Sequence, residues 1–357
     1  MELDYKITLP PKYDYGIGIV GCGGIISYAT LPCYTKHGLN VVNCYDLDTA
    51  KAMMVADCFN IPRVSDSLHE LLSDPDIDII EIAVPPWEQR DIAHAAAMAG
   101  KHLLCQKPLS DNYHSARQIV RSAYVADVKL AVNQQLRWSP AILASYNLIR
   151  SGWLGQITEC NFHVSVNTPW QMWPWLVNQP YLEVQYHSIH YLDVLRHWFG
   201  EPYYVTARHN CDMTRADIRG ETKTVTILEY ANAFYAIPNL VTTVYCNHCS
   251  NTSPVAAFQL VGTRGFVDGT IGTMYNYPTG RNDTLCGRND EEHFATRLTG
   301  QWLPDAMLGP ISSLMTAMQF DTQPLTSGYD NLHTLALVDA CYRSANLGHT
   351  ITMSDIP

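Results

Sequence analysis

"GIGIVGCGGIISYA", residues 16–29, is the stretch on which the fold turns. A short apolar, strand-like run leads directly into Gly21, Gly23 and Gly24, and an apolar helical pattern follows. Glycines at such a turn let the backbone approach a pyrophosphate, which the free N–H groups of the following helix can hold. The position where a third glycine or alanine is expected is Ile26, so the fingerprint is incomplete. The next strand-like run, "NVVNCYD", ends on Asp46, about twenty residues beyond the glycines, where a carboxylate can accept hydrogen bonds from an adenosine ribose. Asp48 follows closely with no arginine beside it, so a 2′-phosphate would be repelled. NAD is expected, in preference to NADP.

Outward from this stretch, residues 15–136 alternate strand-like and helical patterns. The runs "YGIGIV", "NVVNCYD", "IDIIEIAV", "HLLCQ" and "KLAVNQQL" are separated by helical stretches near 25–37, 49–58, 88–99 and 111–126. That rhythm predicts a parallel sheet with helices on both faces. After Pro140 a helix, "AILASYNLIR", precedes a different rhythm: "GQITECNFHVSVN", "YYVTARHNC", "TKTVTILEYANAF", "LVTTVYCNH" and "SPVAAFQLVGTRGFVDGTI" read as strands joined by turns. A helix is expected near 183–199, and a last one in "NLHTLALVDACYRSANLG" with Gly348 as its cap. The expected fold class is α/β: a Rossmann dinucleotide-binding domain over 1–136, then an α/β domain over 137–357 with a large, open, mainly antiparallel sheet.

Composition narrows the function. A chain of 357 residues exceeds a single core. A net charge of −11 with no basic cluster excludes a phosphate-tracking surface, so no nucleic-acid partner is expected. No apolar run reaches the roughly 18 residues of a membrane span, and the first residues show no secretory pattern; no membrane partner and a cytoplasmic location are expected. The eleven cysteines are scattered in apolar segments, which fits reduced thiols. Cys246 and Cys249 form a CxxC with no second pair at zinc spacing, so no metal is expected.

"HLLCQKPL", residues 102–109, places Lys107 at the carboxyl end of a buried strand, on the side where open α/β sheets bind ligands. With the glycines, Asp46 and this lysine-proline in order, the chain resembles the Gfo/Idh/MocA family of sugar and inositol dehydrogenases. "AVPPWEQRDIAHAAAMAGKHLLCQKPL", "LRWSP" and "SIHYLDVLRHWFGEP" carry the likeness. The resemblance implies that Lys107 lies beside the nicotinamide and that His190 is a general acid/base. It also implies a cofactor surface built from Gly21, Gly23, Gly24, Ile25, Ile26, Asp46, Val84, Pro85, Pro86, Gln89, Gln106, Lys107, Gln135 and Arg137. Homodimers or homotetramers built on the free sheet face are a further implication. An imidazole accepts a hydroxyl proton near neutral pH, and Lys107 can donate a hydrogen bond to the same oxygen.

Three positions depart from the family pattern. Gln106 stands where relatives have glutamate, Gln89 where they have histidine, and Tyr186 where they have an aspartate one turn before the histidine. On the helix, Glu183, His187 and His190 fall at i, i+4 and i+7, and Tyr186, His190 and Asp193 form a second stripe. Glu183 or Tyr186 is expected to tune His190, with Tyr186 in the catalytic set. In "NTPWQMWPWLVNQPY", Trp170, Trp173, Trp175 and Tyr181 offer apolar faces to a sugar ring, beside Gln171, Asn178 and Gln179. Substrate contacts are expected from Lys107, Trp173, Trp175, Glu183, His187 and His190. The expected activity is NAD-dependent oxidation of a hydroxyl of a neutral monosaccharide or cyclitol, aldose to lactone ahead of a ring hydroxyl. The alternatives are a lyase or glycosidase using transient NAD redox, and a non-catalytic NAD/sugar sensor.

Overall fold

A computed structural model describes residues 2–230, 240–277 and 280–356. The chain divides into two compact units, one of Ile7–Gln135 with Met307–Leu332, the other of Leu136–Ala306 and the residues from His333 onward, with the first few N-terminal residues.

In the first unit, β1 (Ile17–Val20), α1 (Leu31–His37), β2 (Val41–Tyr45), α2 (Thr49–Phe59), α3 (Leu68–Ser73), β3 (Ile79–Ile82), α4 (Gln89–Met98), β4 (His102–Cys105), α5 (Tyr113–Val125) and β5 (Leu130–Val132) alternate as expected, α3 being an addition. The strands form a five-stranded sheet in the order β2-β1-β3-β4-β5, parallel throughout. Every residue of β1 and β3 is buried, which explains their unbroken apolar character: both faces are covered. The strand order reverses at β1, so the carboxyl ends of β1 and β3 frame the crevice where such sheets take ligands. "KLAVNQQL" is shorter as a strand than its pattern suggests, because Gln135–Trp138 turns into a 3₁₀ helix.

The break between the units falls after Gln135, beside the expected boundary at 136. Residues 307–332 return to the first unit. Edge strand β5 explains why: the Val132 N–H donates to the Thr326 carbonyl at 2.8 Å, which satisfies a backbone group that would otherwise be left open. Gly328 allows the close approach, since a Cβ there would lie 2.3 Å from the Leu130 side chain.

The second unit contains α6 (Pro140–Arg150), β6 (Ile157–Ser165), α7 (Ile189–Phe199), β7 (Tyr204–Asn210), β8 (Lys223–Tyr230), β9 (Leu240–Asn247), β10 (Val255–Gly262), β11 (Gly265–Thr270), β12 (Thr284–Asn289) and β13 (His293–Arg297). After α8 (Leu308–Phe320), which belongs to the first unit, α9 (Gly328–Leu347) and β14 (Ile351–Thr352) complete the order. Residues 231–234 of the expected "TKTVTILEYANAF" strand lie outside the described residues. The nine strands run β13-β12-β11-β10-β6-β9-β8-β7-β14, antiparallel except for the β6–β9 pair. "SPVAAFQLVGTRGFVDGTI" is a hairpin, β10 and β11, rather than one strand. One sheet face is buried around Phe162, whose ring stacks on Phe258 and tilts against Tyr191 and Trp198 of α7. The other face leaves Val225, Val241, Val255 and Phe266 exposed. Among the described residues no helix is long and apolar enough to cross a membrane, and all eleven cysteines are free thiols.

Candidate active site

In the first unit the glycine turn has the geometry of a phosphate cradle. Gly21 has φ +91°, and a Cβ there would meet the Ala83 carbonyl oxygen at 2.5 Å, so the turn is closed to any larger residue. A Cβ on Gly23 would meet nothing within 4 Å, which marks the open side. A π-helical stretch, Ile26–Thr30, leads into α1; no side chain caps its first turn, and the Ser27 N–H donates to the Gly23 carbonyl at 3.1 Å. Asp46 accepts the Cys22 N–H at 2.7 Å and the Asp48 N–H at 2.9 Å. Its carboxylate thus braces the turn and keeps lone pairs for a ribose.

At the carboxyl ends of β4 and β5 the surroundings of Lys107 are amide-rich. Gln89, buried at the start of α4, donates through Nε2 to the Gln106 carbonyl at 3.1 Å and to the Pro108 carbonyl at 2.8 Å. This side chain therefore clamps the turn on both sides of Lys107, a role its position in the sequence did not reveal. Burial pushes the Lys107 ammonium from 10.5 down to about 7. Gln89 Oε1, Gln106 Nε2, Gln135 Oε1 and both polar atoms of the Asn133 and Gln134 side chains are buried without a partner in the protein. Such groups are costly unless a ligand or solvent satisfies them, so the set fits a polar cofactor ring and its amide. Asn133 and Gln134 were not singled out from the sequence; "NQQ" at a strand end was their only signal.

In the second unit, the helix that carries His190 begins with a π-helical stretch, Val184–Ser188. Glu221 accepts the N–H groups of Leu182 and Val184 at 3.1 Å and so caps it. His190 is buried, with the Trp302 ring edge-on at 4.8 Å between centroids. One turn on, Asp193 takes two hydrogen bonds from Arg137, Nε to Oδ2 at 2.6 Å and Nη2 to Oδ1 at 2.7 Å, and a third from Thr334 at 2.8 Å. Arg137, expected on the cofactor side, thus has its charge balanced by a buried carboxylate. Trp302 and the Arg137–Asp193 pair were invisible in sequence because their partners lie far apart along the chain.

Glu183, one of the two residues expected to tune the His190 region, lies seven positions before it. Seven residues of helix separate them by about 10 Å, whereas i+4 is adjacent. Glu183 instead faces His187 Nδ1 at 3.5 Å and His248 Nε2 at 3.6 Å, and accepts the Ser188 hydroxyl at 2.7 Å and the Thr224 hydroxyl. Burial works against its ionisation, but the two neighbouring imidazoles outweigh this and hold the carboxyl well below the usual range. Tyr186 packs with Trp173 on an apolar cluster around Trp170 and Leu182, and lies edge-on to the exposed Trp175 at 5.6 Å. Trp170 is core, its ring 6.1 Å from that of His248. Of the CxxC, Cys246 sits beside Glu183 and Ser188, while Cys249 belongs to the Trp170 cluster.

Two family profiles match the chain. Residues 15–134 match the oxidoreductase family's NAD-binding Rossmann fold, and residues 147–353 match its C-terminal alpha/beta domain. The chain belongs to the Gfo/Idh/MocA oxidoreductase family. Its first unit therefore carries an NAD-binding Rossmann fold, and the protein is an NAD(P)-dependent oxidoreductase. It is similar to a D-apiose dehydrogenase of Paraburkholderia graminis, 27% identical over 351 residues that span 95% of this chain and 89% of the relative. A 1,5-anhydro-D-fructose reductase of Ensifer adhaerens is 25% identical over 345 residues, 93% of this chain and 96% of the relative. An oxidoreductase of Agrobacterium radiobacter, solved with NAD+, L-tartaric acid and magnesium, shares the fold with a TM-score of 0.83 at 22% identity, covering 96% of this chain and 99% of that one.

Proposed function

We propose that this oxidoreductase uses NAD to oxidise a hydroxyl of a neutral monosaccharide or cyclitol, with aldose-to-lactone oxidation favoured. The observation that carries the reading is Lys107, clamped by Gln89 among buried amides at the carboxyl edge of the parallel sheet, in a chain whose long-range relatives include a sugar dehydrogenase. Gly21, Gly23, Gly24, Ile25 and Ile26 hold the pyrophosphate, and Asp46 holds the ribose and disfavours a 2′-phosphate. Val84, Pro85 and Pro86 follow β3, and with Gln106 and Gln135 they border the nicotinamide. Bound NAD supplies the hydride acceptor. Lys107 donates a hydrogen bond to the reacting substrate oxygen, stabilising alkoxide character as the proton leaves. His190 Nε2 or Nδ1 takes that proton.

Neutrality of the substrate is supported by the pairing of Arg137 with Asp193, which leaves that guanidinium's charge balanced. Trp175, exposed and edge-on to Tyr186, offers a face for a sugar ring, with Trp173 behind it. The exposed valines and Phe266 on the open sheet face support a homodimer or homotetramer, and the absence of an apolar spanning helix among the described residues is compatible with a cytoplasmic enzyme.

NADH absorbance with a panel of neutral aldoses, cyclitols and sugar acids tests the reading. Steady NADH formation with a neutral sugar, preferring NAD and abolished by Lys107→Ala and by His190→Ala, is expected. Saturable NAD binding without net NADH from any of them overturns it in favour of internal redox cycling or sensing.

A further inference from the structure

The side chains of Glu183, His187, Cys246 and His248 converge in the second unit, with one ligand atom from each and all four within 4.8 Å of one another. Glu183 and His187 are related by i, i+4 at the head of the His190 helix, so they share a face. Cys246 is the penultimate residue of β9 and His248 follows at i+2, so period-two alternation turns both the same way. Cys246 therefore shares this cluster with His248, two residues on, while Cys249 of the CxxC lies in the Trp170 cluster.

We propose that these four residues bind a single divalent d-block ion, zinc by preference, in a closed site that locks the His190 helix to β9. The donor set of one thiolate, two imidazoles and one carboxylate is the mixture zinc takes, and four protein ligands make a structural rather than an open site. Tetrahedral zinc, with bonds of about 2.0–2.3 Å, sets ligand atoms about 3.3–3.7 Å apart. His187 Nδ1 and His248 Nε2 lie 3.5 and 3.6 Å from Glu183 Oε1, and 2.9 Å from each other, so of these three pairs only the imidazole pair must spread.

The outer contacts suit ligation. His248 Nδ1 lies 2.6 Å from the Thr168 hydroxyl, and with its proton there Nε2 points a lone pair into the group. Ser188 donates to Glu183 and reaches Cys246 Sγ at 3.3 Å, and Thr224 donates to Glu183. Without metal, and with the His248 proton on Nδ1, the 2.9 Å imidazole contact has His187 Nδ1–H donating to His248 Nε2. On binding, that proton moves to His187 Nε2, which faces the Tyr191 hydroxyl at 3.4 Å, and Cys246 loses its thiol proton to solvent as the sulfur–metal bond forms. Glu183, Cys246 and His248 are fully buried and the His187 side chain is 17% exposed, which gives the ion one route in.

The test is independent of which sugar is oxidised. The full chain, purified without a histidine tag from zinc-supplemented cells and gel-filtered, is assayed by elemental analysis. About one zinc per chain is expected, falling to about a tenth or less in His248→Ala and unchanged in Cys249→Ser, which spares the cluster. Loading with cobalt(II) gives a thiolate-to-cobalt charge-transfer band, lost in the conservative Cys246→Ser variant. A chelator lowers the melting temperature of the parent and added zinc restores it. No retained metal in a folded parent after zinc exposure overturns the proposal, as does metal whose retention depends on Cys249 rather than Cys246.

Discussion

The carboxyl edge of the parallel sheet and the helix that carries His190 are both rich in buried polar groups, but the amides of the one and the carboxylates of the other are treated oppositely. Around Lys107, the amides of Gln89, Gln106, Asn133, Gln134 and Gln135 leave buried atoms without a partner in the protein. Around α7, Asp193 takes three hydrogen bonds and Glu183 is enclosed by hydroxyls and imidazoles. Unmatched groups belong to a surface shaped for a ligand that satisfies them. Matched groups fix the shape of the protein itself, and there a ligand can only replace a proton.

The contrast can be broken most severely at its matched end. Asp193→Asn leaves the Arg137 guanidinium buried beside a neutral amide, and a loss of about 3–5 kcal/mol is expected, read as a lower denaturant midpoint. An unchanged midpoint would mean that the pair contributes little to the second unit. At the unmatched end the loss should appear in catalysis instead. Lys107→Ala is expected to lower kcat by about a hundred- to a thousandfold while NAD still binds, as measured by turnover and by cofactor titration.

Glu81 sharpens the comparison, because it is a carboxyl of the parallel sheet that is matched yet disfavoured in its charged form. Burial raises it from 4.5 to about 7, even though the Tyr34 hydroxyl donates to it at 2.6 Å and the Thr30 hydroxyl at 3.3 Å. The unfolded chain releases this proton first, so stability is full below about pH 4.5 and is lost as pH rises through about 7. Glu81→Gln should remove that decline, raising the stability of the first unit by at most about 3 kcal/mol at pH 8 and by almost nothing at pH 4, read from melting curves at the two pH values. The smallest effect is expected from Gln89→Ala. It releases the turn bearing Lys107 without touching its charge, and kcat should fall by about tenfold with little change in melting temperature, as for a donor left about 1 Å out of place.

Much of the first unit was legible because its chemistry is consecutive in the chain. Each strand hands over to its turn, so Gly21, Asp46 and Lys107 could be placed at strand ends from the apolar runs before them. The same reading failed where neighbours are remote. The helix repeat shows that Glu183 and His187 share a face, but nothing local shows that His248 and Cys246 come to lie beside them. Nor does anything local show that residues 307–332 pack with the first unit, where edge strand β5 donates to the Thr326 carbonyl.

By itself, then, the sequence determined the alternation of strands and helices, the glycine turn, the acidic strand end and the lysine after β4, all of which are set by local periodicity and backbone conformation. Only the tertiary structure decided which buried charges meet: Arg137 with Asp193, Glu183 with His187 and His248, and Gln89 with the turn at Lys107. A buried charge or amide is stable only against a specific partner, and the partner's position depends on strand order and helix packing rather than on distance along the chain.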